Sequence, residues 1–381
     1  PETRLFKLEQ NYRSTQNIVN AANSLISHNQ RQIKKDVFSQ NDEGEKLILK
    51  PVYSDKEEAL VVCNDIKRLK KTEDGEYSDF AILYRTNSQS RSFEEELRRQ
   101  SIPYRIYGGL SFYQRKEIKD IIAYFRLAMN TDDEEAFKRI VNYPARGIGD
   151  TTLGKITMAA QNNGVSCWDI LSQPTRFQLD VNKGTWTKLL NFRDLVNGFV
   201  AQLDKLDAYE LGMKIIKESG IQADLYGASD ADSLSRQENL QEFVGGLKEF
   251  VEIRREEGNE DEVFLSNYLQ EVSLLSDLDS EGDDESRVVL MTVHSAKGLE
   301  FPTVFVVGLE ENIFPSPRST DSPRQLEEER RLLYVAITRA EKHCILTCAK
   351  NRFRFGRMEF DTPSRFIRDI DPSLLNVQNP M

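Results

Sequence analysis

The sequence has few of the residues that bind metals or form the disulfides of small secreted domains. It contains four cysteines and three histidines in 381 residues. Only Cys344 and Cys348 lie close together, and on a strand two residues four positions apart are separated by about 13 Å. That distance is too long for a disulfide or a shared metal ion. The histidines are scattered, so we predict no zinc site, reduced thiols and a cytoplasmic protein.

Long apolar runs are lacking too. No stretch approaches the ~20 consecutive apolar residues that a transmembrane helix needs, and residues 1–9 are mixed and charged, unlike a secretory signal. A hydrophobic content of 39% and a charged content of 30% are typical of a folded, soluble chain. We therefore expect two or three domains, each with its own core, and no membrane partner.

An excess of positive charge, which is usual in nucleic-acid-binding chains, is also missing. The net charge is −11, and this lowers the expectation of DNA binding. The acidic residues are clustered, however, and basic stretches occupy residues 98–105, 115–119 and 350–357. Because a DNA groove needs only a locally positive surface, the negative total does not exclude one.

The chain is organised around residues 288–311. An apolar run at Val288–Met291 is typical of a parallel strand buried on both faces, and a second run follows at Val304–Val307. Polar residues stand between them, namely Thr292, His294, Ser295, Lys297 and Glu300. Ligands of open α/β sheets bind beyond the carboxyl ends of strands, so these residues predict a phosphate or nucleic-acid site at one strand end. An ordinary turn with solvated polar residues is the alternative.

Strand and helix patterns alternate in the first 110 residues, which indicates an α/β domain with a largely parallel sheet. The predicted strands there are Leu47–Tyr53, Phe80–Tyr84 and Tyr104–Tyr107. From residue 112 to about residue 275 the periodicity is helical only. Alternation resumes after an acidic linker at 277–285, with a helix from Leu326 to about Thr338, a final strand at His343–Thr347 and a polar tail.

We predict that the two α/β pieces, residues 1–110 and 283–381, form one domain interrupted by an all-helical insertion at residues 111–282. An insertion into a loop lets the two pieces complete one sheet. Three domains in series are the alternative, but each α/β piece would then have few strands and an incomplete core.

Arg13 and Arg339 are candidate phosphate ligands. Arg339 follows a helix whose apolar face would fix it against the core, and a guanidinium can bind two phosphate oxygens at once. Arg13 follows Tyr12 at a helix start, where backbone N–H groups favour anions. The alternatives are an arginine that pairs only with the helix dipole and a surface tyrosine near a helix cap.

Six short motifs follow one another along the chain. They are NYRST, LYRTNSQSR, YRIYGGLSFYQRKEIKD, PARGIGD, MTVHSAKGLEF and EEERRLLYVAITRA. In this order they resemble the UvrD/PcrA/Rep family of superfamily 1 DNA helicases, over nearly the whole chain. The resemblance implies that the α/β domain is the second RecA-like motor domain of the family, a P-loop NTPase-like fold called 2A. The helical insertion is then the mobile domain called 2B.

The resemblance also implies roles for residues at the ATP site. Tyr12 would stack on the adenine of ATP, and Glu300 would hold the ribose. Arg13 would contact the γ-phosphate. Arg339 would be the arginine finger on the same phosphate, and both arginines would therefore be catalytic.

The same resemblance implies two DNA-binding regions. Arg85 and Asn87, together with Thr292 and His294, would track single-stranded DNA. The segment Arg146–Thr151 is similar to a helix-hairpin-helix loop and would hold duplex phosphates through the backbone N–H groups of Gly147 and Gly149. Independently of the resemblance, the residue pattern places Asp150 or Thr151 to cap the helix that follows. The alternative for that segment is a tight turn between two helices.

One expected motif, G-x-x-x-x-G-K-[ST], does not occur in these residues. In the family, the Walker A lysine and the carboxylates that hold magnesium belong to the first motor domain. The chain therefore resembles the C-terminal half of an ATP-dependent 3′→5′ DNA helicase of repair or replication, inactive by itself, in which ATP and Mg²⁺ require the missing N-terminal half.

The implied partners are single-stranded DNA, duplex–single-strand junctions, the N-terminal motor domain and DNA repair proteins. Two alternatives stay open. One is a non-catalytic, helicase-like module that binds DNA or a repair protein. The other is the motor part of a helicase–nuclease subunit.

Overall fold

The computed structural model describes residues 13–30, 39–278, 286–354 and 357–379. The chain divides into two compact units. One unit, the α/β unit, comprises residues 1–112 and 282–381, and the other, the helical unit, comprises residues 113–281. Tyr12 and the acidic linker from residue 279 onward lie outside the described residues.

Eight strands form one sheet in the α/β unit. They are β1 (Leu47–Ser54), β2 (Phe80–Tyr84), β3 (Tyr104–Ile106), β4 (Val288–Thr292), β5 (Phe301–Val306), β6 (Ala340–Arg354), β7 (Arg357–Phe360) and β8 (Leu375–Val377). The order β3-β4-β2-β5-β6-β1-β8 is parallel throughout, and β7 pairs with β6 in the antiparallel sense. The predicted parallel α/β fold is confirmed.

The sheet interleaves the two pieces of the chain. β2 lies between β4 and β5, and β1 lies between β6 and β8. A strand from before the helical segment is thus flanked on both sides by strands from after it. Neither piece can form this sheet alone, which explains why they belong to one unit.

Fourteen α-helices occur in the described residues. They are α1 (Gln16–Ile26), α2 (Asp55–Thr72), α3 (Ser90–Arg99), α4 (Lys116–Met129), α5 (Glu134–Ile140), α6 (Asp150–Asn163), α7 (Cys167–Ser172), α8 (Lys183–Val200), α9 (Ala208–Glu218), α10 (Ile221–Leu225), α11 (Ala231–Glu256), α12 (Leu265–Leu278), α13 (Pro323–Thr338) and α14 (Arg365–Asp369). None of them combines the length and the apolar character that crossing a bilayer requires.

Helices cover both faces of the sheet because alternate strand residues point to opposite faces. In β2, Ala81 and Leu83 pack with α1, α13 and α14, whereas Ile82 and Tyr84 pack with α2 and α3. All five residues of β2 are buried. The apolar stripe of α13, which includes Leu333 at 0% exposure, fixes that helix on the first face.

The predicted polar tail is wrong. Residues 365–369 form α14, whose Phe366 is buried, and β8 pairs with β1 at the edge of the sheet. His343–Thr347 is only part of β6, which continues to Arg354 and pairs with β7. A five-residue helix and a three-residue strand are too short for hydrophobic periodicity to show them.

The helical unit contains α4 to α12, and no strand occurs in its described residues. Its core is built on aromatic side chains. The ring of Phe243 lies 5.8 Å from that of Phe125 and 6.1 Å from that of Tyr268, centroid to centroid. Such tilted and edge-on pairs add to the apolar burial that holds the helices together.

A buried charge cluster joins α2 to the sheet. Nη2 of Arg352 on β6 donates to Glu58 Oε1 at 2.8 Å and to Glu310 Oε2 at 2.7 Å, and its Nε donates to Glu310 Oε1 at 2.6 Å. Both carboxylates are 0% exposed. Burial raises the pKa of Glu58. Burial would also raise the pKa of Glu310, but the charge of Arg352 lowers it below its usual value.

Replacing Arg352 with methionine is expected to lower the free energy of unfolding by about 3–5 kcal/mol, because two buried carboxylates would lose their cation. Urea unfolding followed by circular dichroism measures the change. Arg357, whose side chain is 78% exposed, is the matched control, and Arg357→Met should stay within about 0.5 kcal/mol of the parent. Equal losses in the two variants would contradict a special role for the buried cluster.

Candidate nucleotide and nucleic-acid sites

The polar residues between β4 and β5 lie at opposite ends of the parallel strands. We call the side of the sheet where the strands begin the amino edge and the side where they end the carboxyl edge. Thr292, the last residue of β4, is in register with Tyr84 at the carboxyl end of β2. Thr303 of β5 is in register with Phe80, the first residue of β2, and Glu300 lies three residues before it. Thr292 and Glu300 are therefore about 20 Å apart along the strand direction. The prediction that these residues share one strand end is wrong.

Three of the residues predicted to bind nucleotide lie together at the amino edge. Arg13 Nε lies 3.7 Å from Glu300 Oε2, and the Arg13 side chain is 80% exposed. The N–H of Phe301 donates to the carbonyl of Arg339 at 2.9 Å. The buried hydroxyl of Ser14 donates at 2.6 Å to the carbonyl of the residue after Arg339. These bonds bring Arg13, Glu300 and the backbone of Arg339 to the same edge.

Arg339 is the C-cap of α13. Its Nε donates to the carbonyl of Val335 at 3.1 Å, and its Nη2 donates to Thr338 Oγ1 at 3.3 Å. The guanidinium therefore rests on the last turn of a helix that is fixed in the core. A cation in this position can meet a phosphate at the amino edge without any change in the helix.

The residues predicted to bind single-stranded DNA lie at the opposite, carboxyl edge. Arg85 and Asn87 follow β2. Thr292 is the last residue of the neighbouring β4, and His294 follows that strand. Gln89 Oε1 accepts the backbone N–H of Arg85 at 3.0 Å, which fixes the turn after β2. The structure thus places the two groups of residues of this predicted site, one after β2 and one at the end of β4, on neighbouring strands.

Arg85 pairs with a carboxylate that sequence reasoning does not single out, and the charge of that carboxylate also acts on His294. Arg85 Nε donates to both oxygens of Glu329, at 3.1 and 3.0 Å. Burial and then the charge of Arg85 lower the pKa of His294, while Glu329 acts in the opposite direction. Together these influences favour the neutral form of the imidazole. Glu329 lies four residues before Leu333, so the two residues share the buried face of α13. An acidic residue on the buried face of a helix is the sequence signal by which Glu329 could have been identified.

In the helical unit, the predicted DNA loop is held by the side chain of Arg146. Its Nη1 donates to the carbonyls of Ile140 and Tyr143, both at 3.0 Å, and its Nη2 donates to the carbonyl of Ser219 at 2.9 Å. The guanidinium also lies over the ring of Phe192, 5.0 Å from its centroid. The side chain of Arg146 therefore orients the loop from inside the unit.

The backbone of this loop alternates between satisfied and free N–H groups. Asn142 Oδ1 accepts the N–H of Arg146 at 2.8 Å and that of Ile148 at 3.1 Å. Within the described residues, the N–H groups of Gly147 and Gly149 have no acceptor. Free donors before a helix start suit a phosphate oxygen.

The two glycines differ in the space around them. Gly147 has a φ of +76°, and a Cβ there would lie 2.6 Å from Lys188 Nζ. Gly149 has a φ of −78°, and a Cβ there would meet no atom within 4 Å. Gly149 is also the N-cap of α6, so the prediction of Asp150 or Thr151 as the cap is wrong by one or two positions.

The family model described as UvrD-like helicase C-terminal domain matches residues 6–351. An ATP-dependent DNA helicase PcrA from Leuconostoc citreum is 41% identical over 375 residues, which cover 98% of this chain and 50% of the relative. A protein of the same name from Staphylococcus aureus strain Mu50 is 40% identical over 378 residues, with 98% and 50% covered. The chain spans about half the length of the curated relatives it matches.

Proposed function

The chain belongs to the family of UvrD-like helicase C-terminal domains, and from this premise we propose that it is the C-terminal half of an ATP-dependent DNA helicase. The whole enzyme would move 3′ to 5′ on single-stranded DNA in the cytoplasm and unwind duplex DNA during repair or replication. The observation that supports this most is the division of polar residues between two edges of one sheet. A nucleotide would bind to Arg13, Glu300 and Arg339 at the amino edge. DNA would bind to Arg85 and its neighbours at the carboxyl edge.

At the amino edge, the residues present fit a nucleoside triphosphate. Arg13 and Arg339 would bind oxygens of the γ-phosphate, and Glu300 would accept hydrogen bonds from the ribose hydroxyls. Tyr12, which precedes Arg13, would stack on the base. ATP with its Mg²⁺ supplies the phosphoryl chemistry when bound, and the N-terminal half would hold the metal. The task of the two arginines is to neutralise charge on the transferring group.

At the carboxyl edge, the residues suit the sugar–phosphate backbone of a single strand. The Arg85 guanidinium supplies charge and N–H donors, and Asn87 and Thr292 supply neutral polar groups. The lowered pKa of His294 favours its neutral form, which would exchange hydrogen bonds and add no charge there. Since these contacts would be made to charged phosphates, binding should weaken as salt rises.

The direct test uses this chain joined to its N-terminal half. ATP-dependent strand separation should occur on a duplex with a 3′ single-stranded tail, and it should be slow on the same duplex with a 5′ tail. Strand separation that starts only from the 5′ tail, or none with either tail, would oppose the proposal.

The free N–H of Gly149 predicts a contact with duplex DNA. Gly149→Leu fits the loop because it has open space and a negative φ, and it should weaken binding to a duplex–single-strand junction about tenfold by shielding the donor. Binding to single-stranded DNA should stay unchanged. Fluorescence anisotropy with the two labelled DNAs measures both affinities.

Gly154 provides the matched control, because it lies in α6, the helix that Gly149 caps, and a Cβ there would also meet nothing within 4 Å. Gly154→Leu should leave both affinities unchanged. Gly147 is the poorer probe, since any side chain there would be strained at its φ of +76°. Equal losses from Gly149→Leu on both DNAs would point to a general effect and not to a duplex contact.

A further inference from the structure

We propose that Glu329 is the positioning residue of the single-stranded-DNA site, where it holds the Arg85 guanidinium in the orientation that meets a backbone phosphate. This inference rests on the proposed function of the carboxyl edge. Glu329 lies on α13 and is 2% exposed. Its carboxylate accepts Arg85 Nε at 3.1 and 3.0 Å and the N–H of Ser316 at 2.8 Å. It therefore ties together α13, the turn after β2 and the loop after β5.

The way in which Arg85 is held leaves its outer donors available. Both hydrogen bonds between Arg85 and Glu329 start from Nε, the inner nitrogen of the guanidinium. In the part of the chain that the structure describes, Nη1 and Nη2 of Arg85 have no acceptor, and the side chain is 19% exposed. Four N–H donors on a fixed plane are thus presented at the edge where the strand of DNA would pass.

The same carboxylate also acts on His294, which follows β4. α13 contacts the turn at residues 293–296 that carries His294. The Arg85 charge lowers the pKa of His294, and the Glu329 charge raises it. Glu329 therefore faces side chains that follow two different strands, β2 and β4.

A positioning role and a purely electrostatic role predict opposite results. A negative carboxylate near a phosphate-binding edge repels the ligand, so neutralising it would strengthen DNA binding if charge alone mattered. If Glu329 fixes Arg85, a glutamine there keeps only one acceptor oxygen and no charge, so the guanidinium is held less firmly and binding weakens because the arginine must be ordered again for each contact. The sign of the change separates the two roles.

The experiment measures binding of a labelled oligothymidylate to this chain at low salt. Arg85→Gln should weaken binding about tenfold, and Glu329→Gln should weaken it to a similar extent. The double variant should be no weaker than Arg85→Gln alone, because Glu329 acts through Arg85. Glu328→Gln makes the same charge change at a 63% exposed side chain of the same helix, and it should leave binding unchanged.

A second variant keeps the test valid even if Glu329→Gln unfolds. Arg85→Lys keeps the charge but has no Nε–H to meet Glu329, so positioning predicts nearly the loss seen for Arg85→Gln, whereas a charge effect predicts little loss. Proton NMR of the three histidines adds a readout independent of binding. The pKa of His294 should fall in Glu329→Gln and rise in Arg85→Gln.

Unchanged or tighter binding by Glu329→Gln, or losses that multiply in the double variant, would overturn the inference while leaving Arg85 as a DNA ligand. Full affinity in Arg85→Lys would overturn it in the same way. If Arg85→Gln itself binds DNA normally, the proposed DNA site at this edge fails, and the role of Glu329 fails with it.

Discussion

Replacing Arg339 with alanine, in this chain joined to its N-terminal half, should lower ATP turnover by roughly 10³-fold or more, the usual scale for arginine fingers. Arg339 follows the last turn of α13, a helix fixed in the core by residues such as Leu333 and Ile337, both 0% exposed. Its backbone carbonyl accepts the N–H of Phe301, which follows Glu300 at the amino edge. The side chain would act mainly in the transition state, so ATP and DNA affinities should change far less than turnover.

Steady-state ATP hydrolysis with saturating single-stranded DNA measures this effect. Arg331 lies on the same helix and pairs with Glu328 near the surface, so Arg331→Ala is the matched control and should retain nearly full turnover. Arg339→Lys should recover little, because an ammonium cannot bind two phosphate oxygens in one plane. Near-normal turnover in Arg339→Ala would reduce Arg339 to a helix-capping residue.

Patterns of sufficient length predicted the fold well. β2 and β4 contain continuous apolar runs, and both are interior strands of the parallel sheet, with a neighbour on each side. The apolar stripe of α13 predicted its buried face correctly. Short elements could not be predicted in this way, because β8 has three residues and α14 has five. Their place is decided by tertiary pairing with β1 and by burial of Phe366.

The sequence suggested candidate residues for the two sites, but it could not show their geometry. Thr292 and Glu300 are eight residues apart in sequence, and only the strand register shows that the connection between them crosses the sheet. Arg146 has the residue type of a DNA contact, yet its guanidinium binds backbone carbonyls inside the helical unit. A sequence shows which charges exist, whereas their partners depend on distant segments.

α13 carries residues of both sites. Glu329 lies at the carboxyl edge, and Arg339, ten residues later, lies at the amino edge, about 15 Å away along the helix axis. A rigid element thus joins the predicted DNA contacts to the predicted arginine finger. The helix can do this because its apolar face is buried along its length, with Leu333 and Ala336 between the two charged residues.

The chain by itself should hydrolyse no ATP. These residues contain no G-x-x-x-x-G-K-[ST] segment, and phosphoryl transfer in P-loop enzymes depends on that loop and on a metal held by carboxylates. Arg13 is 80% exposed, so a nucleotide at the amino edge would face water on its other side, where each charge contact is weak. ATP binding should therefore be poor as well.

Phosphate release by the purified chain, with and without single-stranded DNA, measures this prediction. The chain should nevertheless be folded, because both pieces of the sheet are present, and a cooperative thermal transition provides that control. Joining the N-terminal half should restore DNA-stimulated hydrolysis, and Arg339→Ala should abolish the restored activity. This pattern follows only if the two arginines are half of a site whose metal and phosphate loop lie elsewhere. Sustained turnover by the chain alone would mean that a complete nucleotide site lies within these residues and that the amino edge has been assigned wrongly.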